Sequence, residues 1–223
     1  RRSSDLSQTL QRPFRSALQK RKILSEIDLH QFDTEITLRV GSAIRGIDKA
    51  MQQKADTHAR RSKILPKIVD MAQDPDARVL YFGPTVRDAQ SMAILLAMKG
   101  VKAGVITGGT DSGTRISMVR DFKNGDLQVL CNCQVLTTGF DAPKVSHVVI
   151  ARPTVSQVLF EQMIGRGLRG PEFKGTERCS ITICVDQCSG QQPVMGYEKY
   201  LHVWQEAAKQ KKLAKQQETA ENE

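Results

Sequence analysis

Residues 78–106 read RVLYFGPTVRDAQSMAILLAMKGVKAGVI, and the order of signals in that stretch decides the fold. Arg78 to Gly83 is a short apolar run stopped by glycine, the pattern of a buried strand. Pro84 and Thr85 then open a helix, with the Thr85 hydroxyl placed as N-cap. Ala89, Met92, Ala93, Leu95 and Leu96 recur at helical spacing and form its inner face. Gly100 ends the helix, and Val101 to Ile106 is a second apolar strand. A strand, a helix and a strand in that order describe a parallel pair joined by a helical crossover.

The same unit repeats downstream. Thr107-Gly108-Gly109-Thr110 is a loop, and Asp111 or Ser112 caps a helix running to Phe122. Asn124-Gly125-Asp126 turns the chain into a third strand, Leu127 to Cys131. Val145 to Ala151 is a fourth strand, Pro153-Thr154 opens a helix through Met163, and Ile181 to Val185 is a fifth strand. Alternation of this kind predicts an α/β fold, a parallel sheet with helices on both faces. Upstream, Gly41 to Met71 has a helical pattern in which Pro66 is tolerated only near the first turn. Lys22 to His30 and Glu35 to Val40 read as short strands or extended linker. Residues 196–223 read as one polar helix, a helical C-terminal extension. The expected organisation is a basic linker over 1–57, the main domain over 58–190 and a helical tail over 191–223.

The chain has 223 residues, with 33 Lys and Arg against 24 Asp and Glu, a net charge of +9. That excess points to a polyanionic partner, nucleic acid before an anionic membrane. Aromatic residues make up 5%, too few for a platform that stacks bases. No apolar run reaches the length of a bilayer span, so no membrane partner is expected. The five cysteines in a chain without a leader pattern predict reduced thiols and a cytoplasmic protein. Cys131-x-Cys133 and Cys179-x4-Cys184-x3-Cys188 do not have the paired spacing of a zinc knuckle, so no metal site is expected.

Chemistry is expected in the loops. In open parallel sheets ligands bind beyond the carboxyl ends of the strands. Phe82-Gly83-Pro84-Thr85, Thr107-Gly108-Gly109-Thr110 and Leu136-Thr137-Thr138-Gly139-Phe140-Asp141-Ala142-Pro143 combine glycines with small hydroxyl residues, which lets a phosphate approach backbone N–H groups. A fourth segment, Gln162-Met163-Ile164-Gly165-Arg166-Gly167-Leu168-Arg169, places two arginines three residues apart with glycines between them. Planar guanidinium groups suit phosphate oxygens and stabilise charge on a transferring phosphoryl group.

In order and spacing these segments resemble motifs IV, V and VI of the second RecA-like domain of superfamily-two helicases and translocases. Val79 to Thr85 resembles motif IV, Val135 to Asp141 motif V, and Gln162 to Arg169 the motif VI pattern Gln-x-x-Gly-Arg-x-x-Arg. The resemblance covers about residues 60–190. Gly139-Phe140-Asp141-Ala142-Pro143 and Gly165-Arg166-Gly167-Leu168-Arg169 resemble the type I and type III restriction motors and bacterial DNA-repair helicases more than DEAD-box RNA helicases, whose motif VI begins with His.

The resemblance implies roles. Gly83, Thr85, Thr107, Gly108, Arg115, Thr137 and Thr138 would bind the nucleic-acid backbone, DNA in preference to RNA. Gly139, Asp141, Gln162 and Gly165 would contact ATP, and Arg166 and Arg169 would be the catalytic arginine fingers. ATP and Mg2+ would be shared with a first RecA-like domain of the same chain, because no Gly-Lys dipeptide of a Walker A loop and no Asp-Glu dipeptide occurs here. The start at Arg1-Arg2-Ser3 reads as a piece of a longer protein. On this reading the residues given would hydrolyse no ATP alone. Two rival readings are a double-strand translocase subunit of a restriction complex and a non-catalytic nucleic-acid-binding module.

Overall fold

The computed structural model describes residues 18–19, 21–39, 46–133, 144–189 and 194–198. Six strands form one parallel sheet: β1 (Glu26–Leu38), β2 (Val79–Phe82), β3 (Ala103–Ile106), β4 (Val129–Asn132), β5 (His147–Ile150) and β6 (Arg178–Cys188), in the order β1-β6-β5-β2-β4-β3. Among the described residues five α-helices accompany them: α1 (Ile47–Ala55), α2 (His58–Met71), α3 (Val86–Met98), α4 (Ser112–Asn124) and α5 (Gln157–Ile164).

Each strand sends alternate side chains to opposite faces, and both faces are covered. Leu80, Phe82, Leu130, Val148 and Ile181 pack on one side against Met51 of α1, Phe122 of α4 and Phe160 and Met163 of α5. Val79, Tyr81, Val129, Cys131 and Val149 pack on the other against Ile64 and Ile68 of α2 and Met92 and Leu96 of α3. Connections running one way along the sheet, β1 to β2 and β2 to β3, carry α2 and α3 on the second face. Those running back, β3 to β4 and β5 to β6, carry α4 and α5 on the first. A single handedness of crossover requires this change of face.

The local signals act largely as read. Thr85 accepts a hydrogen bond from the Asp88 N–H at 3.0 Å and Asp111 from that of Thr114 at 2.9 Å. Gly125, at φ 97°, ends α4 in the left-handed conformation that glycine adopts at little cost.

Four features differ from the sequence reading. Glu26–Leu38, read there as short strands or extended linker within the 1–57 segment, is one edge strand of the sheet, in parallel register with β6 from Glu26↔Arg178 onward. Its run of Glu26, Asp28, His30, Gln31 and Asp33 looked like linker because an edge strand keeps a polar outer side. The helical stretch from Gly41 to Met71 contains two helices, with Thr57 in extended backbone capping α2 through the Arg60 N–H at 3.2 Å. Pro66 lies in the interior of α2, not its first turn. It is tolerated because Pro66 and Ser62, whose carbonyl loses its partner, are both exposed, so water can satisfy that carbonyl. Finally α5 begins at Gln157 with Ser156 as cap, because Thr154 is engaged elsewhere: its hydroxyl donates to Asp48 at 2.9 Å.

One buried ion pair joins three elements. Arg60 of α2 donates from Nε and Nη2 to the two carboxylate oxygens of Asp186 in β6, at 2.7 and 2.9 Å. Thr34 of β1 donates to the same carboxylate at 2.5 Å. Burial disfavours the Arg60 charge, and Asp186 outweighs that, so its pKa rises. Removing one member of a fully buried pair strands the other charge. Arg60→Ala is expected to lower stability by about 3–5 kcal/mol. Lys63→Ala, which removes an exposed pair with Glu35, should cost less than about 1 kcal/mol. Urea unfolding of the purified chain checks both; similar midpoints for the two variants would contradict the assignment.

Candidate nucleic-acid and nucleotide interface

All strands being parallel, their carboxyl ends share one edge, and two of the three candidate phosphate loops are described there. After β2, the Gly83 N–H donates to the Asn132 carbonyl at 2.8 Å. A Cβ on Gly83 would press on the Asp88 carboxylate and the Ala89 nitrogen at 3.0 and 3.2 Å. Gly83 is therefore a packing glycine, buried where the strand turns into α3. Thr85 is equally engaged: besides capping α3, its hydroxyl donates to Asp56 Oδ2 at 2.7 Å.

Asp56 is the hub of a polar cluster beneath this loop. It accepts from Thr85, from Arg61 Nη1 at 2.5 Å and from Arg87 Nε at 2.8 Å. Arg61 also reaches Asp88 at 3.1 Å, and Asp88 accepts the Tyr81 hydroxyl at 2.6 Å. Burial alone would raise the Asp56 pKa; the hydrogen bonds from Thr85, Arg87 and Arg61 outweigh it and bring it below the usual value. Asp88 goes the other way, because burial dominates and its pKa rises.

The cluster leaves the Arg87 side chain 74% exposed beside Thr85, a functional candidate that the motif reading passed over. The available signal was its position: a cation in a helix's first turn opposes the helix dipole and marks a nearby anion.

After β3, Thr107 is braced from inside its loop. Its N–H donates to Thr110 Oγ1 at 2.9 Å, and its carbonyl accepts Arg115 Nη2 at 3.2 Å. Gly108 is exposed, and a Cβ there would meet nothing within 4 Å. This loop thus offers accessible backbone, with one face of Arg115 tied down as its prop. The two loops stand two strands apart in the sheet, roughly 10 Å. Thr137, Thr138, Gly139 and Asp141 of the third loop lie outside the described residues. The strand entering that loop, β4, is followed by Cys133, whose sulfur receives Arg152 Nη1 at 3.5 Å. Arg152 also donates to Gln52 at 3.1 Å, and burial lowers its pKa.

The arginine segment lies at the other end of the sheet, which corrects the expectation that it shares the strands' carboxyl edge. Helix α5 carries the chain back along the sheet for 8 residues, about 12 Å. Gly165–Gly167 then forms a 3-10 turn. A Cβ on Gly167 would collide with Cys179 and Val148, residues at the starts of β6 and β5, so only glycine lets the turn seat there. A Cβ on Gly165 would meet nothing within 4 Å, leaving room for a ligand. Gln162 sits half-buried in the last turn of α5, and Arg166 and Arg169 are half-buried on and just after the turn. Burial, and then the like charge of Arg169, lowers the pKa of Arg166. The structure therefore brings Gln162, Gly165, Arg166 and Arg169 together, and holds them apart from Gly83, Thr85, Thr107, Gly108 and Arg115.

Among the described residues no three His, Cys, Asp or Glu side chains gather as a metal site, and no helix is long and apolar enough to cross a membrane. Cys131, Cys133, Cys179 and Cys184 are buried free thiols, and burial pushes Cys179 and Cys184 up to about 12.

A doubly covered parallel sheet of this order is a RecA-like α/β domain. Residues 60–170 match the family described as the helicase conserved C-terminal domain, and over those residues the chain carries that domain. IRC3 of Saccharomyces cerevisiae, a candidate ATP-dependent helicase, is 39% identical over 90 residues, 40% of this chain and 13% of that protein. CshA of Streptococcus pneumoniae, a DEAD-box ATP-dependent RNA helicase, is 36% identical over 97 residues, 44% of this chain and 17% of its own. The fragment structure of a candidate HsdR subunit of a type I restriction enzyme from Vibrio vulnificus superposes with a TM-score of 0.54 at 20% identity, over 73% of this chain and 32% of that one. The chain thus spans under a fifth of the two curated relatives' lengths.

The Asp56 cluster generates a prediction with a defined pH dependence. A carboxylate whose folded pKa lies below its unfolded value contributes stability that is complete above the unfolded pKa and lost as pH falls through the folded one. At pH 7, Asp56→Asn should destabilise the chain by about 2–3 kcal/mol, the scale of losing hydrogen bonds to a charged group. The gap from the unsubstituted protein should close as pH drops below 3.8, the ordinary value, where Asp56 itself becomes neutral. Unfolding free energies at a series of pH values test this; a pH-independent gap would show that Asp56 acts by shape alone.

Proposed function

We propose that this chain is the C-terminal motor domain of an ATP-dependent helicase or translocase acting on DNA. In it, Arg166 and Arg169 reach the phosphates of ATP, and the loops after β2, β3 and β4 hold the nucleic-acid backbone. The observation that carries the reading is the arginine turn. Arg166 lies on the turn beside the open space at Gly165 and Arg169 two residues past it, and burial together with the like charge of Arg169 disfavours the charge on Arg166. A polyanion placed there relieves both costs, so the residues present fit a nucleotide phosphate chain.

ATP supplies the phosphoryl group and the free energy of its transfer. The chain's own part is positioning and charge. Gln162, one helical turn before Arg166, orients the nucleotide, and Gly165 lets it approach the backbone. Arg166 and Arg169 present directed N–H donors to oxygens that gain charge in the transition state, in a cleft from which water is excluded. The remaining parts, a Walker A loop and the carboxylates that hold Mg2+, would come from a first RecA-like domain. Gly139 and Asp141 would complete the nucleotide contacts, and Thr137 and Thr138 would extend the backbone track. Gly83 and Thr85 shape that track from within, while exposed Gly108 and Arg87 face it.

In the complete protein, Arg166→Ala or Arg169→Ala should cut ATP turnover by about 10³-fold or more. Nucleotide and nucleic-acid affinities should change far less, because the interaction is strongest in the transition state. Lys at either position should rescue only partly, since it lacks the planar fork. Turnover, ATP affinity and melting temperature measured on the same variants decide the matter: lowered melting with intact turnover would reduce the arginines to structural residues.

DNA is preferred in this reading because motif VI begins with Gln162 and motif V continues as Gly139-Phe140-Asp141-Ala142-Pro143. The likeness to DEAD-box RNA helicases supports RNA as the second reading. The chain alone should bind single strands weakly and without sequence preference. With roughly three phosphate contacts, the log–log salt dependence would have a slope of about −2. Titrating DNA and RNA strands of one sequence at two salt concentrations tests both points. Tighter RNA binding would replace the DNA assignment, and salt-independent binding would remove the backbone track.

A further inference from the structure

The arginine turn is held from outside by a segment that no motif covers. Residues 22–25, just before β1, run antiparallel along the chain that follows Arg166. The Ser25 N–H donates to the Leu168 carbonyl at 3.0 Å, the Gly170 N–H to the Ile23 carbonyl at 3.0 Å, and the Glu172 N–H to the Lys22 carbonyl at 3.2 Å. Leu24 and Arg169 form the bridge between them. The approach is so close that any Cβ on Gly170 would overlap the Lys22 carbonyl and the Ile23–Leu24 backbone. Gly170 is thus a glycine because this strap lies on it.

Ser25 is the centre of the contact. It is 0% exposed. Its hydroxyl faces two carbonyl oxygens, that of Arg169 at 2.6 Å and that of Thr176 at 2.7 Å. One proton shared between two acceptors pins both ends of the loop that starts at Arg169, and Gln19 Nε2 holds the Ser25 carbonyl at 3.2 Å. The buried hydroxyl, its one proton lying between these two close backbone acceptors, fixes the Arg169 peptide, and with it the origin of the Arg169 side chain.

We propose that Ser25 is a positioning residue for ATP hydrolysis: it touches no substrate, and it sets the backbone from which Arg169 reaches the phosphates. This rests on the arginine-finger reading above. A guanidinium that must meet a transition state tolerates little displacement, and a shift of about 1 Å is worth up to roughly 10²-fold in rate. Ser25→Ala deletes the donor while keeping the fold of the strap's backbone.

The test is a double-mutant cycle in the complete protein, with amide exchange on the chain itself. Ser25→Ala should lower kcat for ATP by roughly 10- to 100-fold, leave KM for ATP within about twofold, and speed exchange of the Gly170 amide. Arg169→Ala should abolish most turnover, and adding Ser25→Ala to it should change nothing further, because the group that Ser25 positions is gone. A structural role would instead lower turnover in both backgrounds, which would overturn the proposal. So would a Ser25→Ala enzyme with unsubstituted turnover beside an inactive Arg169→Ala. Near-normal turnover in Arg169→Ala itself would overturn the arginine reading, and the positioning role with it. If Ser25→Ala melts below the assay temperature, Ser25→Cys, close in size and a weak donor, takes its place, and its kcat should fall between the two; unchanged kcat would again refute the role.

Discussion

Burial of both faces of the sheet is the constraint on which everything else depends. A parallel sheet needs crossovers, crossovers place helices on both faces, and the faces are then closed to ligands. Only the two ends of the strands remain. In this chain the carboxyl end carries the glycine- and hydroxyl-bearing loops after β2 and β3, and the amino end carries the arginine turn. The core between them is continuous and tightly packed, with Tyr81, Phe82, Phe122 and Phe160 almost wholly buried. On the function proposed above, a domain built this way would keep the polymer and the nucleotide at opposite ends of one sheet.

Polar groups inside the body do much of the aligning. Arg60, Asp186 and Thr34 lock α2, β6 and β1 together, and the Asp56 cluster ties the segment between α1 and α2 to the start of α3. Charged groups this deep cost more to leave unpaired than an apolar core of the same shape, so they define one arrangement and penalise its neighbours. Arg87 has the further property of standing with its base in such a cluster and its surface open to water.

The fold was legible because the decisive residues act locally. Val79–Phe82, the Thr85 cap, Gly100 and the Asp111 cap each specify their own element, and the structure uses each as read. β1 was read only as short strands or linker, because half its side chains face solvent and its pairing partner is remote, so neither a continuous apolar run nor a neighbouring turn ties it to the sheet. The α5 start was displaced by Asp48, a residue no local pattern connects to Thr154. For the candidate site, motif spacing singled out Arg166 and Arg169, but the end of the sheet on which they stand follows from the direction of α5. Thr85 shows the limit of motif logic most plainly: its hydroxyl is already hydrogen-bonded on both the donor and the acceptor side. Ser25 gave no signal at all, since a lone serine in a basic segment carries no pattern.

The pairing of β1 with β6 joins residues 152 apart in sequence, as between Thr34 and Asp186. During synthesis β1 leaves the ribosome first and its partner among the last of the sheet. At ordinary elongation rates the wait is on the order of 10 s, long beside the closure of the short loops between β2 and β5. For that interval Ile27, Leu29 and Ile36 have no sheet edge to cover, and the nascent domain consists of central strands assembling around β2. The first of the six described strands is therefore the last to join the sheet, and an edge that is safe in the finished protein is a point of vulnerability while it is being made.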